Sequence, residues 1–512
     1  MIPAGFGREL DDSRIGIMNR VARSFTDAAA VVEAIADIYW RNVGILRDAF
    51  AAYAAGDIPK QRVRAYYPFL RVSTDELPDI DPRAAYGFLP DAGVYSTTVT
   101  RPDIFGRYLR EQISLLLQNE HYQVEVGEST TPIPIHFALG ETAHLESNLS
   151  PDRIARLPQF FDVPDLTIMD DSIANGLDVV SPDGAMPLSL FTAPRIDLSL
   201  LRLRHYCGTS TEHFQNFVIF TNYQFYIDEF VRLGQKVMTG ESADGFIPRG
   251  EYTQFVEPGD IVTSAKGISP EPHRKPGVPL ARLPQMPAYH LKRPDNDGIT
   301  MINIGIGPSN AKNITDHVAV LRPHVWLMLG HCAGLRNTQA LGDYVLAHAY
   351  LRQDHVLDAD VPLEVPIPAL AEIQTALQTA LSRVTGLTGQ ALKRIMRTGT
   401  VATVDDRNWE LRPSTIQNLP FIQSRAIALD MESATIATNG FRFRVPYGTL
   451  LCVSDKPLHG HLKLPGMADE FYRQRISQHL AVGLETMALL REGERTQLHS
   501  RKLRSFHEVP FQ

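Results

Sequence analysis

Residues 428–460 read ALDMESATIATNGFRFRVPYGTLLCVSDKPLHG. Two short apolar runs, 426–429 and 449–453, each lead straight into carboxylates: Asp430-Met431-Glu432-Ser433 after the first, Ser454-Asp455 after the second. Short apolar runs bounded by turn residues fit strands covered on both faces. Working outward, 216–221 (NFVIFT), 300–306, 325–329, 344–349 and 400–404 repeat the pattern. Helical spacing lies between several of them. Leu370, Ile373, Leu377 and Leu381 share one face of a helix that stops at Gly386, and 226–233 reads as another helix. This alternation predicts an α/β domain built on a central sheet.

Toward the N-terminus the pattern changes. Apolar residues from 26 to 53 recur at helical spacing and stop at Gly56-Asp57, which predicts one long amphipathic helix. Residues 92–100 read as a strand, Pro102-Asp103 opens a helix, and 122–126 alternates as a half-buried strand does. We therefore expect a flexible start over 1–20, a smaller α+β domain over 21–175 and a connector over 176–204. The catalytic domain is expected over 205–512, with an irregular Pro- and Gly-rich insertion at about 234–298.

Composition bounds the function. The 512 residues carry 50 Lys+Arg against 58 Asp+Glu, a net charge of −8, with 44% apolar residues. Such a chain has ample core material, and it lacks the basic balance that coating nucleic acid or an anionic membrane requires. The 3 cysteines form no C-x-x-C pair, which excludes a cysteine zinc ribbon and fits a reducing cytoplasm. The N-terminal stretch has no signal-peptide pattern, and no apolar run reaches membrane-spanning length.

In open α/β sheets, ligands gather beyond the carboxyl ends of the strands. The glycine-rich turn Gly305-Ile-Gly307 either lets backbone amides approach a phosphate or sugar or is a tight strand-to-helix turn. Glu432 is suited to accept two hydrogen bonds from a vicinal diol such as ribose, or to sit at a helix N-terminus favoured by the dipole. Met431 beside it packs on a sugar face or fills core. Asp455 is placed to donate a proton, or to cap the turn at Pro457. Cutting an N-glycosidic bond needs a donor, because a purine leaves poorly until a ring nitrogen is protonated while the sugar gains oxocarbenium character. His459-Gly-His461 with His331 and Asp455 admits a metal reading, but no H-E-x-x-H or cysteine partner set supports it. No G-x-S-x-G elbow supports a serine triad.

These junctions, in this order, resemble the nucleoside phosphorylase and nucleosidase superfamily, and the resemblance to its AMP nucleosidase family covers nearly the whole chain. It is carried by GVYSTTVTRPDIFGRYL (93–109), LRLRHYCGTSTEHFQNFVIFTNYQFYIDEF (201–230), INIGIGPSNAKNITDHVAVLRPHVWLMLGHCAGLR (302–336), GDYVLAHAYLRQDHVLD (342–358), RTGTVATVDDRNWELR (397–412), the opening stretch and LHSRKLRSF (498–506). The resemblance implies an α/β sandwich around a mixed, partly barrel-like sheet, preceded by a smaller regulatory α+β domain, in a homohexamer. It also implies that AMP and water give adenine and ribose 5-phosphate. Asp455 matches the residue that bonds purine N7, and Glu432, with Met431, the residues at the ribose. Gly307 and Ser454 are further substrate-site candidates. No cofactor is implied for the chemistry, and MgATP is implied as an allosteric activator.

The departures from the wider superfamily concern the nucleophile. Phosphate-binding positions in the hexameric phosphorylases correspond here to Asn222, Tyr226, Met328 and His331. Losing cations there weakens phosphate as nucleophile, because a doubly charged anion needs charge-assisted hydrogen bonds. For the substrate's own 5′-phosphate the candidates are Arg202, Arg204, His205 and Arg407, each otherwise a surface or ion-paired charge. Trp409 is a candidate to stack on adenine or a core aromatic. A phosphate-using purine nucleoside phosphorylase, a metal-dependent nucleotide hydrolase and a non-catalytic nucleotide sensor remain as alternatives.

Overall fold

Helix Ala28–Ala55 organises the N-terminal part. Asp27 caps it by accepting the Ala30 amide at 2.8 Å, and it ends at Gly56, whose φ of 120° favours glycine. Its buried stripe of Val31, Ile35, Ile38, Leu46, Phe50 and Tyr53 is the one that the apolar spacing predicts. The structure is a computed structural model that describes residues 22–75, 86–119, 122–140, 149–177, 180, 184–240, 246, 248–268, 276–462, 469–493, 498, 503–505 and 508–512. The flexible start expected over 1–20 lies outside the described residues.

The first sheet comprises β1 (Arg23–Phe25), β2 (Tyr66–Thr74), β3 (Gly93–Thr98), β4 (Val124–Pro132) and β5 (Met186–Pro187) in the order β1-β4-β2-β3-β5. Its central strand, β2, carries Pro68 and an irregular register between Tyr66 and Pro68, which hides its period in the sequence. β5 falls inside the expected connector 176–204. Residues 186–187 pair with Tyr95 and Ser96, and helix Ala193–Cys207 runs across the expected boundary at 204/205. A continuous apolar core passes through Leu190, Phe191, Leu200 and Leu203 into the second part.

Among the described residues, ten strands form the second sheet: β6 (Phe217–Thr221), β7 (Gln254–Glu257), β8 (Ile261–Ser264), β9 (Ala288–Lys292), β10 (Ile299–Asn303), β11 (Val325–Gly334), β12 (Tyr344–Gln353), β13 (Met396–Val404), β14 (Ala428–Asp430) and β15 (Tyr447–Asp455). Three of them, β7, β8 and β9, lie within the stretch 234–298 expected to be irregular. They are antiparallel strands of four or five residues at one end of the sheet, too short to announce themselves between the prolines. The remainder is the mixed α/β architecture that the sequence predicts.

The decisive strand is β11. One edge pairs in parallel with β15 along Trp326–Ala333. The other edge pairs with β6 over Val325–Met328 and then, antiparallel, with β14 at Ala333–Gly334. The β14 contact closes a ring, β11-β15-β12-β13-β14, while β6, β10, β9, β7 and β8 extend as an open wing. Between the two partners on that edge, residues 329–332 of β11 have no strand beside them.

Helix Ala193–Cys207 is tied to the first sheet by Asp197, which accepts Tyr67 Oη and Thr100 Oγ1, both at 2.7 Å. Burial pushes this carboxyl up to about 6, although the two hydroxyls pull it down. The folded chain therefore holds this proton more tightly than the unfolded chain. Its contribution to stability is present at low pH and is lost as pH rises through about 6. Asp197→Asn should remove a pH-dependent difference on the order of 2 kcal/mol. Urea midpoints of wild type and variant at pH 4.5 and 7 test this; a difference between them that is independent of pH would contradict it.

Candidate active site

The gap on the edge of β11 is filled by side chains from the strands on either side of it. Asn222 follows β6, Gly307 follows β10 and Glu432 follows β14. Glu432 is fully buried; its Oε1 accepts the Gly307 amide at 2.7 Å and its Oε2 accepts Asn222 Nδ2 at 2.9 Å. Gly307 has a φ of 111°, which orients its amide at a cost that side-chain-bearing residues rarely meet. Gly330, in the gap itself, has no side chain for a simple reason: a Cβ there would stand 3.2 Å from Asn222 Oδ1 and 2.9 Å from Met328 Cε. Three widely separated candidates, Asn222, Gly307 and Glu432, are thus one hydrogen-bonded group.

Glu432 occupies the N-cap position of helix Ser433–Arg442, yet its side chain does not cap the helix. Asp430 does so: its Oδ2 accepts the Ser433 amide at 2.9 Å, and its Oδ1 accepts Thr403 Oγ1 at 2.6 Å. Thr403 Oγ1 in turn accepts the Ala434 amide at 2.9 Å. The helix-dipole role proposed for Glu432 is therefore taken by Asp430, and the Asp-x-x-Ser spacing was the signal for it. Both carboxyls are raised above the usual carboxylate range. For Glu432 burial is the larger cause, followed by the neighbouring Asp430 charge, with the Gly307 and Asn222 hydrogen bonds opposing. For Asp430 the cause is burial, opposed by the Ser433 and Thr403 hydrogen bonds.

Asp455 ends β15 and is half-buried, with the Ser454 hydroxyl on its Oδ1. Ser454 Oγ also lies 3.3 Å from the Cys332 carbonyl. Ala333 of β11 is in register with Asp455 on one edge and Leu429 on the other. Glu432 lies three residues beyond Leu429, so ring closure sets the two candidate catalytic carboxylates on strands that flank the same residue.

Tyr226 and His331 also come together. His479 Nε2 lies 3.0 Å from the Leu450 carbonyl, so that nitrogen carries the proton. Burial pushes His479 down to about 3, so the ring is neutral and Nδ1 accepts from Tyr226 Oη at 2.7 Å. Tyr226 has then spent its only proton. His331 Nε2, 3.3 Å from the phenol oxygen, can approach it only as an N–H donor. The sequence reading missed His479, which sits alone on a helix with no motif around it.

The remaining candidates lie elsewhere. Trp409 is buried with Ala333, Leu429 and Phe421, with half-buried Met431 packed against the same cluster. The core description fits Trp409, while Met431 joins the cluster to Glu432. Arg407 is exposed on the preceding turn. Arg204 pairs with Asp260 at 2.6 Å. Arg202 is exposed and meets Tyr206 Oη at 3.1 Å, and His205 is exposed beside it. Among the described residues, no group of three or more His, Cys, Asp or Glu is arranged to hold a metal, and no helix is long and apolar enough to cross a membrane.

The ring-closing sheet and the site on its split edge define a phosphorylase-superfamily enzyme, and residues 287–487 match that superfamily. Residues 30–185 match the family described as the bacterial AMP nucleoside phosphorylase N-terminus. The chain is 48% identical over 503 residues to the AMP nucleosidase of Escherichia coli K12, covering 96% of this chain and 100% of that one. The AMP nucleosidase of Escherichia coli O157:H7 gives the same values. The chain belongs to the AMP nucleosidase family. Among solved structures, an AMP nucleosidase from Bacteroides thetaiotaomicron is 24% identical with a TM-score of 0.41, covering 58% of this chain and 98% of that one. A purine nucleoside phosphorylase from Toxoplasma gondii is 17% identical with a TM-score of 0.39, covering 56% and 97%.

The geometry makes Gly330→Ala a local test. The added methyl should push Asn222 away from Glu432 and destabilise the fold by about 1–3 kcal/mol. A melting temperature equal to that of wild type would show that the gap is looser than these contacts require.

Proposed function

We propose that the chain hydrolyses the N-glycosidic bond of AMP, giving adenine and ribose 5-phosphate. In this reading the C1′–N9 bond breaks with its electron pair going to the purine. Asp455 supplies a proton or strong hydrogen bond at N7, and water adds to C1′ and gives up a proton. Glu432 accepts the ribose hydroxyls in exchange for its contacts to Gly307 and Asn222. The observation that carries the reading is the register of Ala333, which pairs with Asp455 on one edge and, on the other, with Leu429, three residues before Glu432. Full-length identity of 48% to AMP nucleosidases supports the substrate. By the same family resemblance, the first domain is the regulatory part, MgATP is its activator, and the chain works as a hexamer.

Incubation with AMP in phosphate-free buffer should release adenine, read by chromatography; a requirement for added phosphate would overturn the hydrolytic reading. Asp455→Ala should lose roughly 10²–10⁴-fold in kcat, the usual worth of a general acid. Near-wild-type turnover of a folded variant removes that role. Glu432→Ala should lower kcat/KM about 10- to 150-fold, as expected for hydrogen bonds to a charged acceptor.

The raised Glu432 carboxyl also sets a pH dependence. Glu432 must be ionised to accept both hydroxyls, so kcat/KM should rise with pH through a value above the usual carboxylate range. Asp430→Asn removes the neighbouring negative charge and should move that rise to lower pH. A rise that stays in place would show that another group controls it.

A further inference from the structure

We propose that Asp171 and Asn175, which lie in the N-terminal family region, act through Arg442 to position Glu432; this rests on the reading that Glu432 holds the ribose hydroxyls. Glu432 and Arg442 are the two ends of one short rod. The Glu432 carbonyl accepts the Ile436 amide at 3.0 Å, so its backbone belongs to helix Ser433–Arg442. Nine of that helix's ten residues are buried. It is about 15 Å long at 1.5 Å per residue. It has little room to slide: a Cβ on Gly440 would stand 2.5 Å from the Tyr447 ring, and Asn439 Nδ2 is held by Thr315 at 2.8 Å and Asp316 at 2.9 Å.

The far end is gripped from the first domain. The Arg442 guanidinium is almost fully buried. Its Nε donates to Asn175 at 2.6 Å, and its Nη2 reaches Asp171 at 3.0 Å and Asp360 at 3.2 Å. Nη1 reaches Asp316 at 3.2 Å. Asp171 also holds buried Arg195 at 2.8 Å, and Arg444 Nη1 donates to the Ala174 carbonyl at 2.5 Å. Lys312 completes a balanced set by pairing with Asp316 at 2.7 Å. Removing the Asp171 charge leaves two buried guanidiniums short of one carboxylate, which weakens the hold on the far end of the rod. Because the helix is packed along its length, a change at Arg442 is delivered to Glu432.

A merely structural role would lower activity on every substrate alike, whereas a positioning role acts on the ribose hydroxyls. The test is the ratio of kcat/KM for AMP to that for 2′-deoxy-AMP, measured on folded full-length Asp171→Asn, Arg442→Lys, Glu432→Gln and the Asp171→Asn/Glu432→Gln double variant. The ratio should fall about 2- to 30-fold in Asp171→Asn and Arg442→Lys, the range seen for energetic coupling through packed networks. The double variant should show no fall beyond that of Glu432→Gln. Glu485→Gln, which breaks a buried ion pair with Arg249 and Arg383 elsewhere, should leave the ratio unchanged. The proposal is overturned if Asp171→Asn and Arg442→Lys keep the wild-type ratio while Glu432→Gln lowers it, or if Glu485→Gln lowers it equally. If Glu432→Gln itself keeps the ratio, the ribose reading falls, and this proposal with it.

Discussion

One edge of β11 has to serve two strands. It pairs with β6 up to Met328 and with β14 from Ala333, leaving a four-residue gap in the middle of a buried sheet. Backbone and side-chain polar groups at such a gap are costly unless they find partners. Asn222, Gly307 and Glu432, one from the end of each of three strands, bond to one another there, while Asn222 Oδ1 is buried without a hydrogen-bond partner. The arrangement fixes the rest. β14 must close the ring for Glu432 to arrive, and Asp430 must cap the helix so that Glu432 is free to point across the gap. Position 330 must be glycine so that Asn222 fits.

The electrostatic character of the site follows. Glu432 is met by two neutral donors, and a second buried carboxylate lies two residues away. Tyr226, His331 and His479 form a chain of aromatic hydrogen bonds. A dianion entering there would meet raised carboxyls in place of cations, whereas water costs nothing electrostatically. The preference for water in our proposal thus rests on the side chains gathered at this gap.

Much of this was legible in the sequence, because buried strands leave apolar runs and ligand sites follow their carboxyl ends. The runs around 217, 300, 325, 345, 400, 428 and 450 are all strands, and the four junctions read from them all lie on or beside the ring. Other features were hidden for physical reasons. β5, β7 and β8 are too short to show a period, and β2 is interrupted by Pro68. The gap on β11 depends on register between segments about a hundred residues apart, which no local pattern encodes. The same holds for His479 and for Arg442, whose partners come from three separate stretches of chain. The ion pair of Arg204 was hidden likewise, because its partner Asp260 lies 56 residues away.

The central claim is that a cation-poor gap beside two carboxylates makes water the nucleophile. Phosphorus-31 NMR of AMP turnover in excess inorganic phosphate tests it most directly. The account predicts ribose 5-phosphate as the sugar product, with the inorganic phosphate signal undiminished. Accumulation of ribose 1,5-bisphosphate at the expense of inorganic phosphate would contradict it.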